Sequence, residues 1–164
     1  MEVNAFAEIA EEFILRAHTM VWCNLATVDR LNRPRSRVLH PIWEVTGADA
    51  PVGWIGTRRH SHKTHHLEHN PYVSVAYVAD PIKPAYAECL AVWDDSPEAK
   101  AHVWELFRTA PPPLGYDPQP IYKSVDAPDF GVLRLVPWRI ELGSAYGPAH
   151  RQIWHNPAAV SPGP

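Results

Sequence analysis

The stretch with the densest chemistry runs from Trp54 to Tyr77, WIGTRRHSHKTHHLEHNPYVSVAY. A short apolar run, Trp54-Ile55, meets Gly56 and Thr57 and then a cluster of Arg, His, Ser and Lys. A two-turn segment closed by Asn70-Pro71 comes next, followed by an alternating apolar strand. Strand, cationic turn, short helix and strand together can hold an anion. Thr57 and Ser61 offer hydroxyl donors, Arg58, Arg59 and Lys63 offer charge, and the free N–H groups of a helix start point the same way. Ser61 is the expected N-cap. A solvated basic turn would have the same composition, and spacing alone does not separate the two.

Four histidines of this stretch, His62, His65, His66 and His69, fall at i, i+3, i+4 and i+7 along one helix face. Neutral imidazoles at i and i+4 can chelate a metal. There is no HExxH order, because Glu68 directly precedes His69, so the stripe reads as solvated surface and no metal is expected.

Several elements must hold this turn in place. Phe6, Ile9, Ala10, Phe13, Ile14 and Ala17 lie on one face of a helical period, with Glu8, Glu11, Glu12 and Arg16 opposite. Val21–Asp29 is rich in β-formers and Arg30–Pro34 is a turn. Arg35–Val45 reads as one return strand, with Arg37 and Leu39 on one face, Val38 on the other, and Pro41 marking an edge or bulge. Val52–Gly56, Tyr72–Tyr77, Tyr86–Trp93 and Phe130–Leu142 complete about six strands, the last with an interruption or edge at Pro137. Ser96-Pro97-Glu98 is a helix start, and Ala99, Val103, Leu106 and Phe107 give that helix its buried face. Pro111-Pro112-Pro113 ends it, and Gly115–Lys123 is an excursion carrying Tyr116 and Tyr122, either a lid or a packed loop. Strands in hairpin succession with a few helices predict a mainly β (α+β) fold, a small antiparallel barrel with peripheral helices.

The chain of 164 residues is long enough for one core, with residues 1–155 as a single domain and 156–164 as a mobile tail. A net charge of -3 implies no pull toward nucleic acid or acidic membranes. No apolar run approaches the ~20 residues of a membrane span. Cys23 and Cys89 form no metal-ligand pair, and the N-terminus shows no secretory signal, so a reduced, cytoplasmic setting is expected. Neither GxGxxG, a P-loop lysine motif nor GxSxG occurs.

The run SHKTHHLEHNPYVSVAY resembles the corresponding stretch of the pyridoxamine 5'-phosphate oxidase-like split-barrel flavoproteins, in which a Ser-Arg-Lys turn, a short helix and Asn-Pro precede a strand. RSRVLHPIW is similar to that family's second strand, VPWRIE to its last, and the resemblance extends from about Val21 to Leu142. It implies a homodimeric split barrel with FMN at the subunit interface. Carried over by position, Lys63 and Ser61 hold the FMN phosphate with Thr57 and Arg58 beside them, and His62 stands where the family often has Arg. Arg37, Val38 and Leu39 line the ribityl chain and ring, and Trp138 reaches the partner's flavin. Glu88 falls near a family Gln contact but is left out of the site, since a carboxylate repels phosphate.

The family's vitamin B6 oxidases carry a substrate-binding Arg-x-His segment after the last strand. LGSAYGPAHR, Leu142–Arg151, lacks it, so vitamin B6 synthesis is not expected. The resemblance implies an FMN-dependent oxidoreductase acting on a small molecule. A non-catalytic, stress-associated flavin binder and a deazaflavin-dependent reductase are the alternatives.

Overall fold

The computed structural model describes residues 1–46, 51–78 and 80–159. Within them, nine strands form one sheet: β1 (Glu2–Val3), β2 (Cys23–Val28), β3 (Pro34–Leu39), β4 (Ile42–Val45), β5 (Pro51–Arg58), β6 (Tyr72–Tyr77), β7 (Ala85–Trp93), β8 (Phe130–Leu142) and β9 (Gln152–His155). The α-helices are α1 (Ala10–Met20), α2 (His62–His69), α3 (Pro97–Thr109) and α4 (Gln119–Tyr122). None of the helices among the described residues is long and apolar enough to cross a membrane.

The strands pair in the order β1-β9-β8-β7-β6-β2-β3, all antiparallel except β1 with β9. β8 is long enough to take two neighbours on one edge, β5 along its first half and β9 along its second. β4 then pairs with β5 at the far end. β3 and β4 are thus opposite ends of the sheet, yet only His40 and Pro41 separate them in the chain. The sheet curls until its ends meet and does not close, which is the split of a split barrel.

This corrects the expectation of one return strand and of about six strands. Pro41 has no N–H to offer a ladder, so the chain leaves β2 after Leu39 and joins β5 from Ile42. β1 is too short to show a period in sequence. β9 lies in a stretch without alternation and is recruited by the free half of β8. At Pro137 the chain bulges: Glu88 faces Arg139 and Cys89 faces Pro137, leaving Trp138 as the extra residue. Asn156 locks that bulge, its side chain donating to the Pro137 carbonyl (2.9 Å) and its N–H to that of Trp138 (3.0 Å). Of the expected tail, residues 156–159 are described and 160–164 lie outside the described residues.

Two cores flank the sheet. Phe6, Ile9, Phe13 and Ala17 from the N-terminal segment are buried against Leu25, Trp43, Val75 and Tyr77. That segment is broken into a 3-10 turn, Phe6–Glu8, and α1, because the Glu8 carboxylate turns back to accept from the N–H groups of Asn4 (2.8 Å) and Ala5 (2.9 Å). The second core lies under α3, where Val103 and Phe107 meet Leu114, Tyr122, Phe130 and Val132. Ser96 caps α3 as expected, its Oγ accepting from the Ala99 N–H at 3.2 Å. The Gly115–Lys123 excursion is packed rather than free. Tyr116 N–H donates to the Phe107 carbonyl (2.9 Å), and a Cβ at Gly115 would lie 1.9 Å from the Ala110 carbonyl oxygen. Cys23 and Cys89 are free, buried thiols on β2 and β7.

Candidate functional site

The cationic turn connects β5 to α2. Lys63 is its centre and is buried, 6% exposed. Its ammonium donates to the Arg58 carbonyl (3.0 Å) and to Ser61 Oγ (2.8 Å), both neutral oxygens. Burial, with the positive charge of Arg37 and Arg58 nearby, pushes Lys63 down to about 8, only partly opposed by Asp129. A buried ammonium with neutral partners and like charges around it is an incomplete arrangement. An anion would complete it.

Ser61 occupies the N-cap position of α2 in extended backbone, φ -154° and ψ 166°, but its hydroxyl makes no capping bond. It donates to the Arg58 carbonyl (3.3 Å) and accepts from Lys63, which corrects the expected capping role. Lys63 competes for the oxygen and wins, since an ammonium donor is stronger than an amide. The turn itself is tied from within: Thr64 Oγ1 donates to the Arg59 carbonyl, and Arg58 and Arg59 pair with Asp129 (2.5 Å) and Asp95 (2.7 Å). Arg59 also lies over the Trp93 ring, 4.5 Å from its centroid. Both arginines therefore already have carboxylate partners, whereas Lys63 has none among the described residues.

Arg37 reaches the same region from β3. It donates to Thr27 Oγ1 at 2.8 Å, and that hydroxyl meets His66 Nδ1 at 2.9 Å. Arginine only donates, so Thr27 accepts from it and is free to donate to the ring of a neutral His66. Burial, followed by the Arg37 charge, lowers the His66 pKa. The histidine stripe is thereby divided: His66 turns inward to a hydroxyl, while His62, His65 and His69 are exposed. No metal-binding group of His, Cys, Asp or Glu is present among the described residues.

Beside the turn, where the sheet stays open, lies a cleft of about 390 Å³. Its floor is Val38, Leu39 and His40 at the end of β3 with Gly56 and Thr57 of β5; Trp22, Pro113 and the excursion residues Tyr116, Ile121 and Tyr122 wall it. Of the residues selected from sequence, Arg37, Thr57, Arg58, Ser61 and Lys63 are brought to the turn, and Val38 and Leu39 stand with Thr57 at the cleft. His62 is exposed beyond them. Trp138 does not join them within one chain; it lines a separate groove with Val28, Tyr72 and Glu88. Glu88 is engaged there by Arg139 at 3.2 Å.

Sequence reasoning missed Thr27, Asp129, Trp22 and His40. Thr27 comes to the turn from β2 and Asp129 from the turn just before β8, both distant in sequence, and only strand pairing reveals them. His40 stood in plain view beside Pro41, where the break between β3 and β4 was the available signal.

With this geometry in hand, three solved structures are informative. A protein related to general stress protein 26 of the pyridoxine phosphate oxidase family, from Clostridium acetobutylicum, is 12% identical with a TM-score of 0.67, covering 92% of this chain and 94% of that one. A pyridoxamine 5'-phosphate oxidase-related, FMN-binding protein from Nostoc punctiforme is 15% identical, TM-score 0.63, covering 94% and 93%. A NimC/NimA family protein from Clostridium acetobutylicum is 20% identical, TM-score 0.64, covering 90% of each. At these identities the likeness establishes the fold. Among curated proteins the sequence finds no match. The family model for pyridoxamine 5'-phosphate oxidase matches residues 6–142, most of the chain and every element of the turn and cleft, leaving out β1 and β9, and the protein belongs to that family.

Proposed function

We propose that the protein binds FMN and uses it to oxidise or reduce a small molecule. The observation that carries this reading is Lys63, a buried ammonium held by two neutral oxygens within a cluster of like charge. A phosphate supplies the missing countercharge. Lys63, Ser61 and Thr57 would hold that phosphate, with Arg58 and His62 at its solvent side and Arg37 bracing β3 through Thr27. Val38 and Leu39 would flank the rest of the cofactor beside the uncharged cleft. The flavin, when bound, supplies the electron transfer, so the chain need only bind, orient and shield. The FMN-binding relative from Nostoc punctiforme supports the same cofactor.

The same reading makes the protein a homodimer. Trp138 is 36% exposed on its bulge, in a groove with Tyr72, also 36% exposed, and Val38 is 60% exposed at the rim of the cleft. A second copy would cover these side chains and bring Trp138 to the partner's flavin. Sedimentation equilibrium showing a monomer with flavin bound would defeat this part.

The deciding experiment is an absorption spectrum of the purified protein, followed by titration with FMN, riboflavin and a deazaflavin coenzyme. FMN binding tightest supports the reading. Riboflavin binding as tightly as FMN would remove the phosphate site, and a preference for the deazaflavin would exchange the cofactor. Anaerobic reduction by NADH or NADPH, followed by reoxidation with a small-molecule acceptor, separates turnover from storage.

A further inference from the structure

The cleft beside the cationic turn differs from the turn in one respect that bears on substrate. Among the described residues, no Asp, Glu, Lys or Arg lines it. Its walls are aromatic and aliphatic, and its volume lies within the ~300–1,000 Å³ of small-molecule sites. Besides the hydroxyls of Thr57, Tyr116 and Tyr122, one nitrogen-bearing polar ring, His40, stands deep among them. His40 is 7% exposed; the Leu114 backbone makes it a weak hydrogen bond that partly offsets burial, and no well-formed bond closes at either ring nitrogen. Rings surround it: Trp22 at 5.0 Å, Phe107 at 5.1 Å and Tyr116 at 5.5 Å between centroids.

A buried polar group without a well-formed bond is rare in a folded protein and calls for a reason. Packing alone would be served better by Leu or Phe. Burial holds the imidazole uncharged, down to about 4, so it offers one donor and one acceptor rather than a charge. Of the rings around it, Trp22 is 55% exposed and can swing aside at little loss of buried area. The excursion that supplies Tyr116 and Ile121 is packed on α3, so the far wall stays put.

We propose that this cleft is the substrate pocket, that it takes an uncharged, flat aromatic molecule, and that a hydrogen-bonding group on that molecule pairs with His40 once Trp22 is displaced. The inference rests on the flavin reading in that Val38, Leu39 and Thr57 are shared between the cofactor and the pocket. It departs from the substrate type of the family's name, a phosphate ester, for which the cleft has no cation.

The test uses the FMN-loaded protein and calorimetric titration with three probes: coumarin, which is flat and neutral with a carbonyl acceptor; coumarin-3-carboxylate, the same rings with a negative charge; and naphthalene, flat without an acceptor. Coumarin is expected to saturate the protein, with the carboxylate roughly tenfold or more weaker because its charge would be buried unpaired. His40→Phe should weaken coumarin by roughly 2- to 10-fold and leave naphthalene unchanged. Should His40→Phe misfold, Ile121→Lys serves instead, since Ile121 is 48% exposed at the cleft wall. It should tighten coumarin-3-carboxylate and weaken coumarin. Failure of coumarin to bind, a carboxylate that binds as well as coumarin, or an Ile121→Lys protein with unaltered preference overturns the proposal. If the chain takes up no FMN, the cofactor reading fails, and the same titrations on the flavin-free chain still decide this one.

Discussion

Lys63 and His40 are equally buried, at 6% and 7% exposure, and both have their proton affinity pushed down by desolvation, to about 8 and about 4. They lie in adjoining parts of one site and are finished differently. Lys63 has two oxygen acceptors and remains charged at neutral pH, in a turn whose arginines are already paired. His40 has only a weak bond with the Leu114 backbone and is neutral, among rings. The contrast teaches that burial alone does not define a site. What the neighbours leave undone decides whether a buried group awaits an anion or a neutral molecule.

The largest effect that could break this contrast is at Lys63. Lys63→Ala removes a charge-assisted hydrogen bond worth ~1.5–3 kcal/mol, so FMN should weaken by roughly 10- to 150-fold. Riboflavin, without the phosphate, should bind nearly as before. A fluorescence-quenching titration of both flavins with both proteins decides it. Equal losses for the two flavins would mean damage to the fold rather than loss of a phosphate contact.

Proton linkage sharpens the same point. A phosphate favours the charged lysine, so FMN raises the Lys63 pKa above its value of about 8 in the free protein. The gain in affinity is therefore complete below pH 8 and declines as pH rises through the bound-state pKa. The ratio of FMN to riboflavin affinity, in which titration of the ring cancels, should be flat from about pH 7, above the phosphate's second pKa of ~6, to about 8 and fall above it. A ratio flat to pH 10 in the wild type, or one that falls in Lys63→Ala as well, would place the phosphate elsewhere.

His40 should behave in the opposite way. Its folded pKa of about 4 is below the ordinary 6.5, so it contributes stability above pH 6.5 that is lost as pH falls toward 4. His40→Phe should unfold in urea at pH 7 with stability unchanged or raised by up to about 1–2 kcal/mol, since a poorly satisfied polar group is gone. It should also lose less stability than the wild type between pH 6.5 and 4. A clear loss at pH 7 would show that the imidazole has a partner worth keeping.

These two regions were not equally legible in the sequence. The turn was readable because its charges, hydroxyls and helix start lie within seven residues, Thr57 to Lys63, and local spacing places them together. The cleft was not, because it exists only where β3 and β5 part and the excursion folds back from α3. Arg35–Val45 read as one strand, since no Gly, Asn or Asp interrupts it, and the cost of a missing N–H at Pro41 appears only when a partner strand is known. Tyr116 and Tyr122 were marked in sequence, but nothing local says that one packs on His40 and the other on Phe130. Trp138 was singled out for the flavin, yet a bulge register cannot be read without β7 opposite it.

The smallest expected effect separates two serines that look alike in sequence. Ser61 and Ser96 both occupy N-cap positions in extended backbone. Ser96 Oγ accepts from the Ala99 N–H at 3.2 Å, a true cap, and it also donates to Asp94 at 2.8 Å. Ser61 Oγ is taken by the Lys63 ammonium instead. Ser96→Ala should therefore cost about 1 kcal/mol of stability, the usual worth of a cap, without touching flavin affinity. Ser61→Ala removes no cap bond, and its stability should stay within about 0.5 kcal/mol of the wild type. Its effect should appear in FMN binding, weakened roughly 2- to 10-fold by loss of one neutral hydroxyl contact. Urea unfolding and FMN titration of the two variants give a crossed pattern if Ser61 serves the lysine. Matching stability losses with no change in FMN affinity would return Ser61 to the role of an ordinary cap and leave Lys63 with a single oxygen partner to account for.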